Sequence, residues 1–167
     1  AVRFLVAALL LTPAQRIFNW SKLALVRRMA GLGAFTYAAL HFFLYIADSK
    51  YNIGFVASEI AQRIYLTIGF IAILGLSALA ATSTDWAIRK LGSRWKQLHL
   101  TVYGIAVLAI LHYFMQSKID VSQPTLILGL FILLMVYRLC ISRRLTLTAP
   151  VLAVSAIVAS LSTAVLE

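Results

Sequence analysis

The sequence predicts an all-α protein, a polytopic transmembrane helix bundle of about six spans with the first one truncated. Three observations carry that prediction. The 167-residue chain is 62% hydrophobic with a mean hydropathy of +0.94, well outside the range of soluble domains. Its charged residues divide it into six uncharged runs, Phe4–Gln15, Met29–Ile46, Ile64–Thr84, Gln97–Ser117, Val121–Tyr137 and Leu145–Leu166. Most of these approach the roughly 20 residues that a helix needs to cross a bilayer. Finally, the basic residues concentrate at alternate connections between the runs.

Phe4–Gln15 is short and starts almost at residue 1, with no initiating Met and no basic segment before it. It reads as a helix cut short, not as a signal peptide. Met29–Ile46, Ile64–Thr84, Gln97–Ser117 and Val121–Tyr137 follow as spans, with short connections that make consecutive helices antiparallel neighbours. The longest outer connection is Asp48 to Arg63, where Tyr51, Phe55, Val56 and Ile60 predict a short helix lying in the outer interface. Between Asp85 and Trp95, two tryptophans flank a basic cluster and mark an inner interfacial belt. Pro150 suits the first turn of the last helix, where a missing N–H costs little. That helix is rich in Ala, Ser and Val, a composition for close helix packing and not for redox chemistry. This last run, within residues 145–167, is expected to add a C-terminal transmembrane helix.

A net charge of +10 raises the question of nucleic acid, and the distribution of the charge answers it. Arg16, Lys22, Arg27, Arg28, Arg89, Lys90, Arg94, Lys96, Arg138, Arg143 and Arg144 lie on one side. Only Arg3, Lys50, Arg63 and Lys118 lie on the other. This is the positive-inside pattern, so the charge reports topology and contact with membrane lipid, and no nucleic-acid partner is expected. No extramembrane segment has room for a Gly-rich nucleotide fold. The lone Cys140 reads as a buried thiol.

Three histidines stand in the apolar runs, and an ionisable side chain at membrane depth is a functional candidate by default. His41 comes 14 residues after Arg27 on an outward-running helix, and His112 sits at the outer end of another. The two match in depth and suit the axial positions of one haem iron. His99 lies near the inner face, roughly 20 Å from His112 along a helix axis. A second inner histidine would complete a two-haem design, but the chain has Arg27 and Arg28 at that depth. The phase of the helix raises a difficulty, since 13 residues leave His99 and His112 about 140° apart on an ideal helix. Either Gly104 lets the helix bend or overwind, or the two groups occupy different sides of it. Gly31, Gly33, Gly69, Gly75 and Gly104 are expected to allow close approach of helices or of a macrocycle. Arg27, Arg28 and Arg94 are candidate partners for acidic substituents on such a group.

Several strings taken together resemble a known family. They are LLLTPAQR at 9–16, RRMAGLGAFTYAALH at 27–41, RIYLTIG at 63–69, TSTDWAIRKLGSRWKQLHLTVY at 82–103 and ILHY at 110–113. The chain resembles MsrQ, the haem-binding membrane subunits of bacterial periplasmic methionine-sulfoxide reductase systems, within the ferric-reductase-like transmembrane superfamily. The resemblance implies a multi-pass protein of the bacterial inner membrane that carries electrons through b-type haem, one or two per chain. Electrons would enter from the quinone pool or a cytoplasmic flavin reductase and leave to a periplasmic molybdopterin-containing reductase subunit. Carried over by position, the iron ligands are His41, His99 and His112, with Arg27 as a further haem contact. FMN is implied by the resemblance alone. The protein would be an electron-transfer subunit that performs no bond-making chemistry. Residues 1–144 correspond to the family's haem-binding domain, while the 145–167 tail departs from it.

Two other classes compete with that reading. A stand-alone ferric or quinone reductase would use the same haem without the methionine-sulfoxide partner. A transporter or scaffold with structural histidines would normally place acidic or broken-helix residues at mid-membrane, and no carboxylate falls inside any run.

Overall fold

The computed structural model describes residues 1–17, 19, 23–117 and 121–143. Within them the chain forms α1 (Val2–Ile17), α2 (Leu23–Asp48), α3 (Ile53–Gln62), α4 (Ile64–Ala81), α5 (Asp85–Leu91), α6 (Ser93–Leu100), α7 (Val102–Gln116) and α8 (Ser122–Ser142). Four stretches are long and apolar enough to cross a membrane, Val26–Asp48, Ile64–Ala81, Ser93–Gln116 and Ser122–Ser142, and Val2–Gln15 forms a shorter apolar helix. The chain is a multi-pass helical bundle of the kind its hydropathy predicts. The predicted last helix, Leu145–Leu166, lies outside the described residues.

Local chemistry sets the ends of the short elements. Asn52 caps α3 by accepting a hydrogen bond from the Phe55 N–H at 3.0 Å, and Thr84 caps α5 through the Ala87 N–H at 3.2 Å. Gly92 joins α5 to α6 with φ of 51°, a left-handed conformation that side chains rarely adopt. Trp95 then ties α6 back to α4, its indole N–H donating to the Thr82 carbonyl at 2.9 Å.

Residue pairs across the helices give their directions. Gly69 faces His112 and Gly75 faces Ile105, so α4 and α7 run antiparallel. Phe4 stacks on Tyr37 and Arg27 reaches Thr12, so α1 and α2 do the same. Arg3 meets Gln123 and Leu9 meets Arg138, which makes α1 and α8 parallel. All these directions agree with the topology read from the charges. The two most extensive packings are α1 on α2 and α4 on α7. The core gathers Leu5, Val6, Leu76, Ala106, Ile110 and Leu134 from α1, α4, α7 and α8. By contrast, α2 leaves Met29, Leu40, Phe43 and Leu44 exposed, an apolar face suited to lipid.

Candidate functional site

A cavity of about 250 Å³ opens among the outer halves of α2, α3, α4 and α7, and both His41 and His112 line it. The depth match read from the sequence thus brings two imidazoles from different helices to one space. They are near enough to interact electrostatically. Apolar side chains supply most of the wall, including Phe42 and Phe70, whose rings meet at 5.7 Å.

The backbone fixes the His112 ring. Its Nδ1 lies 2.8 Å from the Tyr65 carbonyl, and a carbonyl only accepts, so Nδ1 carries the proton and Nε2 keeps its lone pair. A histidine held this way through its second nitrogen is oriented and made more basic as a metal ligand. Gly69 makes the arrangement possible. A Cβ at that position would stand 2.7 Å from both Cε1 and Nδ1 of His112, so only a residue without a side chain lets the ring lie against α4. His41 makes no comparable contact in its setting on α2 and is exposed. The cavity also has a carboxylate, Glu59, which Arg63 holds at 2.6 Å. The Tyr65 hydroxyl and the Glu59 carboxylate together push the Arg63 guanidinium pKa up.

His99 occupies a different setting at the inner end. Its ring stacks on Trp95 with centroids 4.0 Å apart, and its Nδ1 lies 3.2 Å from the Trp95 carbonyl. The other nitrogen, Nε2, is buried and has no hydrogen-bond partner among the described residues. Arg27 shares the depth of His99 and is near enough to act on it electrostatically, but it is exposed and its Nη1 donates to Thr12 Oγ1 at 3.3 Å. Arg28, expected as another anionic-group partner, instead pairs with Asp85 at 2.7 Å.

The irregularity in this crossing lies at Thr101, not at Gly104. The helix that carries both histidines is interrupted between α6 and α7 at Thr101, whose hydroxyl donates to the Leu98 carbonyl at 2.7 Å. Nothing lies within 4 Å of a Cβ built at Gly104, Gly31 or Gly33. Of the glycines expected to permit close approach, Gly69 and Gly75 are the two pressed by a neighbour. The Tyr65 carbonyl was missed, because a backbone acceptor leaves no mark in a sequence. Gly69 in the RIYLTIG string was the available signal.

The residues fit a haem. Two imidazoles converge on an apolar cavity, one with its tautomer set and its free nitrogen poised, and a third histidine presents a buried nitrogen that lacks a partner. No group of three or more His, Cys, Asp or Glu side chains that could hold a bare metal ion occurs among the described residues.

Comparison with known proteins agrees with this chemistry. Residues 1–110 match the family model of the ferric reductase like transmembrane component. The chain is 42% identical over 151 residues to the protein-methionine-sulfoxide reductase heme-binding subunit MsrQ of Rhodospirillum rubrum, covering 88% of this chain and 73% of that protein. It is 41% identical to the subunit of the same name in Bordetella pertussis, over 80% of this chain and 66% of that one. The Salmonella arizonae subunit is 40% identical, over 83% and 70%. No solved structure matches the chain. With a family model matched over more than half its length and relatives this similar over most of theirs, the chain belongs to the ferric-reductase-like transmembrane family and, within it, to MsrQ.

Proposed function

We propose that this chain is the haem-carrying membrane subunit of a methionine-sulfoxide reductase system, and that residues 1–144 form its haem-binding domain. The observation that carries the reading is the convergence of His41 and His112 on one cavity, with His112 Nδ1 held by the Tyr65 carbonyl. Bound b-type haem would supply one-electron chemistry between ferric and ferrous iron. His112, through its Nε2, and His41 would hold the haem iron between α7 and α2. Two imidazole ligands would leave no coordination site for substrate, which suits electron transfer over catalysis. Phe42, Phe70 and Ile73 line the cavity, and an apolar wall of this kind would limit the solvent rearrangement that accompanies a change of charge.

His99 Nε2 is the further ligand position, near the inner face, and Arg27 the cation beside it. The proposal runs electrons from that inner end to the outer cavity. Their source is the quinone pool or a cytoplasmic flavin reductase, and their destination a periplasmic molybdopterin-containing subunit that repairs methionine sulfoxide. The membrane is then the bacterial inner membrane. The relatives' names support a haem-binding subunit of a methionine-sulfoxide reductase, and the positive-inside charge supports the orientation. FMN rests on the family resemblance alone, with no residue assigned to it.

A reduced-minus-oxidised absorption spectrum of the purified protein, with haem per chain, tests it. The expected result is a low-spin b-type signal lost in both His41→Ala and His112→Ala. Colourless protein from haem-replete cells overturns the reading. A haem protein that reduces ferric chelates or quinone but donates nothing to a methionine-sulfoxide reductase would assign it instead to the stand-alone reductases.

A further inference from the structure

A second cavity, of about 420 Å³, lies at the inner ends of α1, α7 and α8; no histidine lines it, though Leu100 beside His99 does, with Thr12, Pro13, Tyr103 and Arg138 among its other walls. Its chemistry begins with Pro13. A proline inside a helix has no N–H to give, so the Leu9 carbonyl one turn earlier loses its usual donor. Arg138 of α8 takes that place, its Nη2 reaching the Leu9 carbonyl at 3.5 Å. The guanidinium also lies over the Tyr103 ring at 4.9 Å. The head group is therefore turned back into the bundle, where an arginine near a helix end would normally reach out to the membrane surface. Its Nε is buried and has no partner among the described residues.

A cation so placed is costly unless an opposite charge meets it. No carboxylate lines the cavity, and Asp85, at the same end of the molecule, is committed to Arg28. Among the described residues no other carboxylate lies at this end of the molecule, so a ligand is the source of charge to consider. A neutral carbonyl compound would satisfy the N–H but leave the charge. A phosphate satisfies both, and a bilayer presents phosphates at the depth of the inner helix ends.

We propose that this cavity binds the phosphate head of an anionic phospholipid, with Arg138 as its principal contact. The site takes no histidine as a wall, and its readout is lipid retained, not haem, so its failure and the failure of the haem reading are told apart. Native mass spectrometry of the purified full chain, exposed to vesicles of phosphatidylglycerol or of phosphatidylcholine with the same acyl chains, tests it. Phosphatidylglycerol should be retained about tenfold more strongly, because the choline ammonium of the other lipid offsets the phosphate charge that Arg138 would meet. Arg138→Gln should abolish that preference, while Arg89→Gln, an exposed inner-side arginine on α5, should keep it. Equal retention of the two lipids by the wild-type protein overturns the proposal, and decides the matter even if Arg138→Gln fails to accumulate. So does an unchanged preference in Arg138→Gln. Displacement of the lipid by inorganic phosphate at equal concentration would give the cavity to a free anion, and Arg138-dependent binding of a neutral quinone would give it to an uncharged ligand. Either outcome overturns the lipid assignment.

Discussion

The outer and inner ends of the bundle treat their histidines differently. At the outer end, two imidazoles from α2 and α7 share a cavity, and one is fixed by a hydrogen bond to the Tyr65 carbonyl. At the inner end a single imidazole on α6 stacks on Trp95, with Arg27 on the side where symmetry would ask for a second histidine. One continuous membrane crossing, broken at Thr101, thus supports two unlike ligand settings. The contrast teaches that one crossing can set two histidines in unlike surroundings, one held against a neighbouring helix and one stacked within its own.

The largest effect should come from removing ligands one end at a time. His112→Ala should remove the outer haem entirely while leaving whatever His99 holds, and His99→Ala should leave the low-spin outer signal untouched. Haem per chain and the reduced spectrum read both, and loss of all haem in either variant would show that the two ends are one unit. Next in size is a pair of glycine substitutions. Gly69→Ala places its Cβ 2.7 Å from the His112 ring, and Gly75→Ala places one 2.7 Å from Ile105 Cδ1. A planar ring held at its edge cannot yield as the end of an isoleucine can. Gly69→Ala should therefore cost about 1–3 kcal/mol and shift the outer haem spectrum. Gly75→Ala should cost less and leave the spectrum alone. Thermal melts and spectra of the two proteins would separate steric cost from ligand displacement.

Trp95→Phe keeps an aromatic surface under His99 but loses the indole donor to the Thr82 carbonyl. About 1 kcal/mol of stability should go with it, and any change in haem should be confined to the His99-dependent fraction. The smallest effect belongs to Arg28→Gln. Its pair with Asp85 is exposed, so the loss should be under about 1 kcal/mol and should vanish in high salt. A large loss of haem in that variant would return Arg28 to the site.

The sequence disclosed those properties that are linear along a chain. Hydropathy marked the spans, the lysines and arginines oriented them, and counting residues from Arg27 and from the basic clusters placed His41 beside His112. Properties that depend on one helix meeting another were hidden. Nothing in the sequence around Pro13 indicates that Arg138, about 125 residues further along the chain, reaches the Leu9 carbonyl. Gly104 looked like the natural place for a bend, yet the irregularity fell at Thr101, where a hydroxyl competes for the Leu98 carbonyl. Arg28 looked equivalent to Arg27 until α5 placed Asp85 against it.

The hold on His112 has a consequence for how binding free energy divides between the two sides of the cavity. A ring anchored at one nitrogen and pressed flat on Gly69 has surrendered its rotational freedom during folding. Its conformational entropy is already spent when a ligand arrives. His41, exposed on the edge helix, still has rotamers to lose. The partnership is therefore lopsided: α7 and α4 form a rigid jaw, α2 a compliant one, and the entropic cost of closing on a guest falls on the α2 side alone.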